Sequence, residues 1–379
     1  MAALNTRSIK EHISRDILFS QWREVGLKHG WSKEQLSALI SLPPVQRDLA
    51  SEKSNAFSVS VDRITQRQSH FSEKDLVRHV AEEAQGRGLG SEQVFSLIQD
   101  QLASSPNIIH LGRVNGEQRF TTKEMLELER SMLAKVEGSK AVPFPLLSEQ
   151  VLQRAFAQRE GISEEQKEAV RHITQRPGAV QAVSGMAGTG KSFMLGAARE
   201  AYQAQGLRVI GAALSGKAAQ GLQDGSGIES NTLHATLNQI QKGDLRLDSR
   251  TVLVVDEAGM VGTRQMERLV SQVNASGAKL VLVGDARQLQ PVDAGGPFKA
   301  IAEKVGEARL STIRRQEESW AREAVHKFAS GNAKEGLEEF AKRGLLSISD
   351  NRDGAYKALL ADWKEQGVKK PEENIILVG

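Results

Sequence analysis

The sequence contains no cysteine, and this absence removes several kinds of site at once. Disulfides and thiolate metal centres are excluded, and the composition fits a reducing compartment such as the cytoplasm. The eight histidines are scattered singly, which argues against a zinc site. Aromatic residues make up only 4% of the chain, too few for a broad base-stacking surface. No apolar run approaches the roughly 18 residues of a membrane-spanning helix, so no membrane insertion is expected.

The chain also lacks a strong charge of either sign. Its 50 basic and 47 acidic residues leave a net charge of +3. A uniformly basic coat is therefore absent, and any nucleic-acid site must be local. The length of 379 residues allows two or three domains, each with its own core.

Four segments are expected from changes in pattern along the chain. Residues 1–56 are typical of a helical linker region. Residues 57–145 give a helix–helix–hairpin order that resembles a winged helix, which can touch nucleic acid or pack against protein. Residues 146–306 alternate helices with short apolar β-rich runs, as in a parallel sheet with crossover helices. Residues 307–379 are expected to begin a second unit of the same kind. The β-rich runs are 179–183, 208–212, 252–255, 279–283, 345–348 and 375–378.

A glycine-rich segment follows the first of these runs and precedes the helix-competent stretch 192–203. It has the pattern G-x-x-x-x-G-K-S, in which backbone N–H groups and a helix amino terminus bind phosphate oxygens. Lys191 is expected to reach the β- and γ-phosphates, and Ser192 to place its hydroxyl on Mg²⁺. The predicted phosphate-binding residues are Gly185, Gly188, Thr189, Gly190, Lys191 and Ser192.

Polar side chains follow two of the later apolar runs. Asp256 comes after run 252–255 and is predicted to be the second partner of Mg²⁺, while Glu257 beside it would orient and deprotonate the attacking water. Alone, such a pair could be a solvated surface. Gln288 follows run 279–283, where a neutral amide can hydrogen-bond a γ-phosphate and report hydrolysis to a neighbouring loop.

Together these motifs resemble superfamily 1 helicases of the RecD-like, 5′→3′ translocating branch. More closely, the sequence is similar to the helicase portion of conjugative relaxase–helicases of the TraI/TrwC and TraA type. The resemblance implies an α/β fold with a P-loop RecA-like parallel sheet, ATP and Mg²⁺ as cofactors, and single-stranded DNA as the track. It also implies that the unit begun at residue 307 is a second, truncated RecA-like domain.

The resemblance also assigns individual residues. Segment 162–166 matches the element whose glutamine, here Gln166, reads adenine. Segment 310–316 matches the element that supplies an arginine to the γ-phosphate, with Arg315 better aligned and Arg314 a solvated neighbour. Segments 213–219 and 230–234 match elements that touch the single strand. His234, the last residue of the second segment, could alternatively be a histidine packed in the core. The implied DNA contacts are Ser215, Lys217, Thr232 and His234.

The resemblance implies, further, a place in the bacterial cytoplasm, a nicking (relaxase) domain in the parent chain and a type IV secretion coupling protein as a partner. The histidine triad and tyrosine cluster of a nicking domain are missing here. No relaxase chemistry is therefore expected in this chain. The sequence stops just after the apolar run 375–378, a core strand of the second RecA-like domain, so we interpret the chain as a fragment of a longer protein and expect it to hydrolyse ATP slowly or not at all when alone.

Other functions are also compatible with these motifs. A vestigial helicase fold could bind single-stranded DNA or recruit the relaxase to a secretion channel. Such a copy should have lost Lys191, Asp256, Glu257 or Gln288, and all four are present. A repair helicase of the RecD type has the same chemistry, and only the amino-terminal segment argues against it. A P-loop kinase is not supported, since no lid pattern accompanies the loop.

Overall fold

A computed structural model describes residues 14–40, 47–285, 293–314 and 318–367. The predicted site residues Gln288 and Arg315, and the β-rich run at 375–378, lie outside this described part. Within it, no helix is both long and apolar enough to cross a membrane.

The amino-terminal region is helical and ends in a β-hairpin, as predicted. The hairpin strands are antiparallel, and Asn115 and Gly116 at their turn have φ angles of 52° and 83°, the left-handed pair that a tight hairpin requires. Ser72 and Asp75 form a reciprocal capping box at the start of one helix. The elements are α1 (Arg15–Lys28), α2 (Lys33–Ile40), α3 (Leu49–Arg67), α4 (Glu73–Ala84), α5 (Ser91–Ser104), β1 (Ile108–Val114) and β2 (Glu117–Thr122).

The expected boundary between residues 56 and 57 falls inside α3 and is wrong as a structural break. Asp48 caps this helix and its backbone continues unbroken to Arg67. Its inner face carries Val61 and Ile64 into a core shared with Leu76 of α4. Helix α3 therefore joins the linker region to the hairpin unit, because its buried residues lie on both sides of the expected boundary at 56/57.

An α/β unit follows. The described residues contain a six-stranded sheet formed by β3 (Val180–Gly185), β4 (Arg208–Ala213), β5 (Ser230–Thr232), β6 (Thr251–Val255), β7 (Lys279–Gly284) and β8 (Glu307–Leu310). Its pairings are all parallel, in the order β5-β4-β6-β7-β3-β8. Four predicted runs are strands, whereas β5 and β8 were not anticipated. The elements are α6 (Lys123–Ser139), α7 (Glu149–Ala157), α8 (Glu164–Gln175), β3 (Val180–Gly185), α9 (Lys191–Ala204), β4 (Arg208–Ala213), α10 (Gly216–Ser226), β5 (Ser230–Thr232), α11 (Leu233–Lys242), β6 (Thr251–Val255), a 3₁₀ turn (Ala258–Met260), α12 (Thr263–Ser276), β7 (Lys279–Gly284), α13 (Phe298–Val305) and β8 (Glu307–Leu310).

Apolar cores cover both faces of this sheet, which is why its central strands are mainly apolar. On one face, Val183 and Val254 pack with helices α7 to α10. On the other, Ala182 and Val255 pack with α11, α12 and α13, and with Met132 and Val136 of α6. Helix α6, assigned by the sequence to the segment ending at 145, thus contributes to the core of the sheet. The expected limit at 145 does not separate two cores.

The carboxyl ends of the central strands lie at one edge. Val255 of β6 is opposite Leu282 of β7, and Val183 of β3 is opposite Val283. On the far side of β3, Gly185 is opposite Leu310 of β8. The expected boundary at 306/307 is therefore displaced, because β8 is hydrogen-bonded to the strand that leads into the glycine-rich loop.

The carboxy-terminal part of the described chain is helical. The β-strand predicted at 345–348 is absent: these residues have no regular structure, and Leu345 and Ile348 are 61% and 87% exposed. A short apolar run forms a strand only where neighbouring strands pair with it, and none lies beside this one among the described residues. The helices are α14 (Ser319–Ala329), α15 (Ala333–Ala341) and α16 (Arg352–Gly367).

Candidate functional site

The glycine-rich loop joins β3 to α9 at the carboxyl edge of the sheet. Gly188 and Gly190 have φ angles of 83° and 81°, a left-handed conformation that side chains rarely adopt. A Cβ atom added to Gly185 would lie 2.9 Å from both Leu310 Cβ and Thr189 Oγ1. Glycine is therefore required at these positions by backbone geometry and close packing. The loop leads directly into the amino terminus of α9, the arrangement that binds phosphate.

Gln166 lies against this loop. It is only 1% exposed, and its Nε2 donates to the carbonyl oxygens of Gly190 at 3.2 Å and Thr189 at 3.4 Å. Its Oε1 accepts the N–H of Ser163, so Gln166 also completes the capping box that starts α8. The side chain predicted to read adenine is thus bonded to the phosphate loop itself.

Lys191 and Ser192 are the first two residues of α9. The Lys191 Nζ donates to the carbonyl oxygens of Gly185 at 2.7 Å and Met186 at 3.0 Å, which places the ammonium within the loop. Helix α10 approaches Ser192 closely, since a Cβ atom on Gly225 would lie 2.7 Å from the Ser192 Cβ. Both predicted side chains are therefore held at the amino terminus of α9.

The two acids stand at the end of β6, two strands away from the loop. Burial raises the pKa of Asp256, although the Glu257 N–H, at 2.9 Å from Asp256 Oδ1, and the charge of Lys191 both act to lower it. Burial also raises the pKa of Glu257, the charge of Asp256 adds to this, and Lys191 opposes it. The positive charge of Lys191 therefore interacts with both carboxylates. The structure thus brings the phosphate loop and the two acids into one electrostatic site.

Glu257 has a left-handed backbone, with a φ angle of 55°. A non-glycine residue in this conformation is strained, and such residues concentrate at functional sites. The following turn packs against the end of β7, where a Cβ atom on Gly259 would lie 2.7 Å from the Asp285 carbonyl oxygen. The acids are consequently fixed beside the strand that leads to Gln288, whose own placement is outside the described residues.

The segment after β8 reaches the same loop. The backbone N–H of Arg314 donates to the Gly188 carbonyl oxygen at 2.7 Å. The segment is held in turn by the Glu165 carboxylate, which accepts hydrogen bonds from Ser311 and Thr312. Glu165 was not singled out from the sequence. The sequence pointed to Glu165 only through its position beside Gln166, because the residues that Glu165 contacts lie 146 and 147 positions further along the chain.

The four residues predicted to touch DNA lie at the same carboxyl edge, where the edge strand β5 and its neighbour β4 lead into α11 and α10. The hydroxyl of Ser215 caps α10, accepting from Ala218 N at 3.1 Å, and that of Thr232 caps α11, accepting from Ala235 N at 3.2 Å. Because Ala213 and Thr232 are paired in register, the two helix amino termini are neighbours. Lys217 is exposed in the first turn of α10.

His234 is exposed, so its alternative interpretation as a packed core histidine is wrong. Its Nε2 lies 3.0 Å from the Asn238 amide nitrogen, one turn along α11. It therefore stands in the first turn of α11, beside the Thr232 cap, where it faces solvent. Its role in DNA contact stays a prediction.

These residues fit a nucleoside triphosphate with a hard cation. The loop offers an anion cradle, and Ser192 and Asp256 offer a hydroxyl and a carboxylate oxygen, the ligand types that Mg²⁺ prefers. Among the described residues, no cluster of three or more His, Asp or Glu side chains is placed to hold a metal ion. Magnesium at phosphate-transfer sites characteristically takes only one or two protein carboxylates, the rest being phosphate and water oxygens.

Comparisons with known proteins identify the family of this chain. Residues 161–351, half of the chain, match the AAA domain family. A probable conjugal transfer protein TraA of Sinorhizobium fredii is 38% identical over 318 residues, covering 80% of this chain and 28% of that protein. The ATP-dependent RecD2 DNA helicase of Deinococcus radiodurans is 35% identical over 162 residues, 42% of this chain and 22% of that protein.

A more distant relative is the multifunctional conjugation protein TraI of Escherichia coli. It is 27% identical over 238 residues, 60% of this chain and 13% of that protein. The chain spans 28% of the length of each TraA protein that it matches. The chain belongs to the AAA domain family, and it is similar to the RecD-like superfamily 1 helicase portion of conjugative transfer proteins.

Proposed function

We propose that this chain binds ATP with Mg²⁺ and couples ATP hydrolysis to 5′→3′ movement along single-stranded DNA during conjugative transfer. The observation that carries the proposal is the layout of one sheet edge. The phosphate loop follows β3 and the acids follow β6, and the two helix termini capped by Ser215 and Thr232 follow β4 and β5 at the same edge. A change at the nucleotide can thus be passed to a bound strand through a single rigid element.

At the nucleotide, the residues have distinct proposed roles. Lys191 and the loop N–H groups neutralise the phosphates, and Ser192 and Asp256 hold Mg²⁺. Glu257 orients and deprotonates the attacking water. Its raised pKa favours this role, because a base is most effective when its pKa approaches the working pH. Gln288 and Arg315 are proposed to contact the γ-phosphate.

Adenine recognition by Gln166 requires its amide to exchange partners. The amide is buried and bonded to Thr189 and Gly190, so a base that takes up this amide competes with the phosphate loop for it. We infer that adenine binding and loop conformation are coupled through this side chain.

At the ends of β4 and β5, a phosphate of single-stranded DNA would lie between the amino termini of α10 and α11. Helix termini and hydroxyls are suited to such sequence-independent contacts. Lys217 and His234 are exposed in the first turns of these helices and complete the proposed contact. A nicking domain in the parent chain, a type IV secretion coupling protein and a cytoplasmic location complete the proposed setting.

The proposal is tested with the protein at its natural length. We expect single-stranded DNA to stimulate ATP hydrolysis and strand displacement to need a 5′ overhang. Lys191→Ala should abolish hydrolysis, and Glu257→Gln should lower kcat by about 100-fold or more while ATP still binds. Glu92→Gln, which changes an exposed carboxylate of α5, is the matched control. Displacement only from 3′ overhangs would contradict the direction, and a fully active Lys191→Ala protein would contradict the site.

A further inference from the structure

Glu165 makes an unusual set of contacts for a residue in the first turn of a helix. Its Oε1 accepts both the backbone N–H and the hydroxyl of Ser311, each at 2.6 Å, and its Oε2 accepts the N–H of Thr312 at 3.2 Å. A charged acceptor with three donors forms strong hydrogen bonds. One carboxylate therefore ties α8 to the segment that follows β8.

The charge state of Glu165 agrees with this geometry. Burial acts to raise the pKa of Glu165, but the hydrogen bonds from Ser311 and Thr312 outweigh it, and the pKa lies below its ordinary value. The side chain is therefore ionised at neutral pH, with its charge directed at the backbone of the segment.

The other end of the segment rests on the phosphate loop. Leu310, the last residue of β8, is paired with Gly185, and the Arg314 N–H donates to Gly188. The Cδ of Arg314 lies 3.8 Å from the position that a Cβ atom on Gly190 would take. The Arg314 side chain thus passes beside the loop, and Arg314 lies only three positions after Ser311, which Glu165 contacts.

The same turn of α8 holds the loop from the other side. Gln166, the next residue after Glu165, donates to Thr189 and Gly190. The adjacent side chains of Glu165 and Gln166 thus hold the segment that contains Arg314 and the phosphate loop. In the proposed function a nucleotide contacts both. A rotation of this turn would move both.

We propose that Glu165 is a positioning residue, whose carboxylate holds Ser311–Thr312 so that the segment as far as Arg314 stays against the phosphate loop. The inference rests on the proposed ATPase function. Through the shared turn, a nucleotide base that engages Gln166 also sets the position of this segment. Glu165 itself does not touch the phosphates.

The position has a matched control in the preceding residue. Glu164 carries the same charge in the same turn, but its carboxylate pairs with Lys167 on the helix surface. Substitutions at 164 reproduce the loss of charge near the helix amino terminus without freeing the segment. Glu165→Gln keeps an acceptor for Ser311 and turns an NH₂ group towards Thr312, so it should give an intermediate result.

The first measurement is hydrogen exchange at the amides of Ser311 and Thr312, which does not depend on catalysis. We expect Glu165→Ala to speed their exchange at least about tenfold relative to Glu164→Ala, since both amides lose a charged acceptor. Far-UV circular dichroism of each variant reports whether the fold is intact. Equal exchange rates in the two variants would overturn the inference, whatever the hydrolysis rates are.

The second measurement separates positioning from a general structural tie. In the protein at its natural length, Glu165→Ala should lower kcat for ATP about tenfold and leave KM within about twofold, with Glu165→Gln between it and wild type. Glu164→Ala should match wild type. A rise in KM with kcat unchanged would overturn the positioning role. Wild-type protein that neither binds nor hydrolyses ATP would overturn the proposed function, while accelerated exchange in Glu165→Ala would still support the contact.

Discussion

The backbone N–H of Ala294 donates to the carbonyl oxygen of Gln66 at 3.1 Å, and this bond joins the amino-terminal helices to the α/β unit. Ala294 in turn accepts the N–H of Thr263 at 2.8 Å, and the Thr263 hydroxyl lies 3.5 Å from Glu129 Oε1 of α6. The amino-terminal unit is therefore bonded to backbone that follows the Gln288 motif by a few residues.

The junction between α6 and α12 should be sensitive to Lys135. Its Nζ donates to Glu267 Oε1 at 2.6 Å and to Ser271 Oγ at 2.7 Å. Lys135→Met keeps the aliphatic stem but leaves Glu267 without its cation, so we expect a loss of about 1 kcal/mol in the free energy of unfolding, measured in urea. The control is Lys140→Met, which breaks only an exposed pair with Glu137 and should stay within about 0.5 kcal/mol of wild type.

Asp256 and Glu257, the two acids of the site, should lower the free energy of unfolding at neutral pH. The pKa values of Asp256 and Glu257 are raised by burial, so the folded state holds their protons at a pH where the unfolded chain has released them. Stability therefore falls as pH rises through the folded pKa. Asp256→Asn and Glu257→Gln should unfold at higher urea than wild type at pH 7, and the gain should vanish below pH 3.8 and 4.5 respectively, the ordinary pKa values. Variants less stable at pH 7 would contradict this account.

Gly190 should tolerate no side chain. Its φ angle of 81° is unfavourable for any L-residue, and a Cβ atom would collide with the Gln166 amide. We expect Gly190→Ala to lose about 1–2 kcal/mol of stability from the backbone alone, together with nucleotide binding. Gly221, in the middle of α10 with open space around its Cβ position, is the control. There alanine should stabilise the protein by up to about 1 kcal/mol, as thermal unfolding will show.

The central strands were predictable because burial on both faces leaves an apolar run in the sequence. Strands β5 and β8 carry no such apolar run, since Ser230–Thr232 is polar and the charged Glu307 and Arg309 alternate with the apolar residues of β8. Their strand conformation comes from pairing with β4 and β3, which no local pattern encodes. The run at 345–348 shows the converse: it has strand-like residues but no partner.

The residues of the candidate site differ in the same way in how far they could be predicted from the sequence. The phosphate loop and the acids were predictable because each has a local pattern with a chemical meaning. Glu165 was not, because its function depends on a segment 146 residues away. The capping box formed by Ser163 and Gln166 had a local signature, S-x-x-Q, yet the bond from Gln166 to Gly190 depends on the fold.

Lys217 should affect DNA binding alone. It is exposed in the first turn of α10, so its removal costs no packing. We expect Lys217→Ala to weaken binding to oligothymidine and to reduce the slope of log K against log salt by about 0.7, the value for one phosphate contact with a single strand. Fluorescence anisotropy at several salt concentrations measures this slope. Lys242→Ala, at the opposite end of α11, is the control, and an equal effect there would show that only net charge matters.

Lys279 should lower the free energy of unfolding by an amount that depends on pH. Its ammonium is buried, lies 5.2 Å from the Phe144 ring centroid, and has no hydrogen-bond partner among the described residues. Burial lowers the pKa of Lys279 from 10.5 to about 7. Between these values the unfolded chain holds a proton that the folded protein has released, so stability rises as pH increases from about 7 to 10.5.

Lys279→Met keeps the chain length and removes the buried charge. We therefore expect it to stabilise the protein by a few kcal/mol at pH 7 and below, with the gain shrinking towards pH 10.5. Urea unfolding of wild type and variant across this range measures the difference. Lys74→Met, at an exposed position on α4, should show no such trend. A variant that is less stable than wild type at pH 7 would mean that the ammonium has a stabilising partner, and that the cation–π contact with Phe144 outweighs the cost of burial.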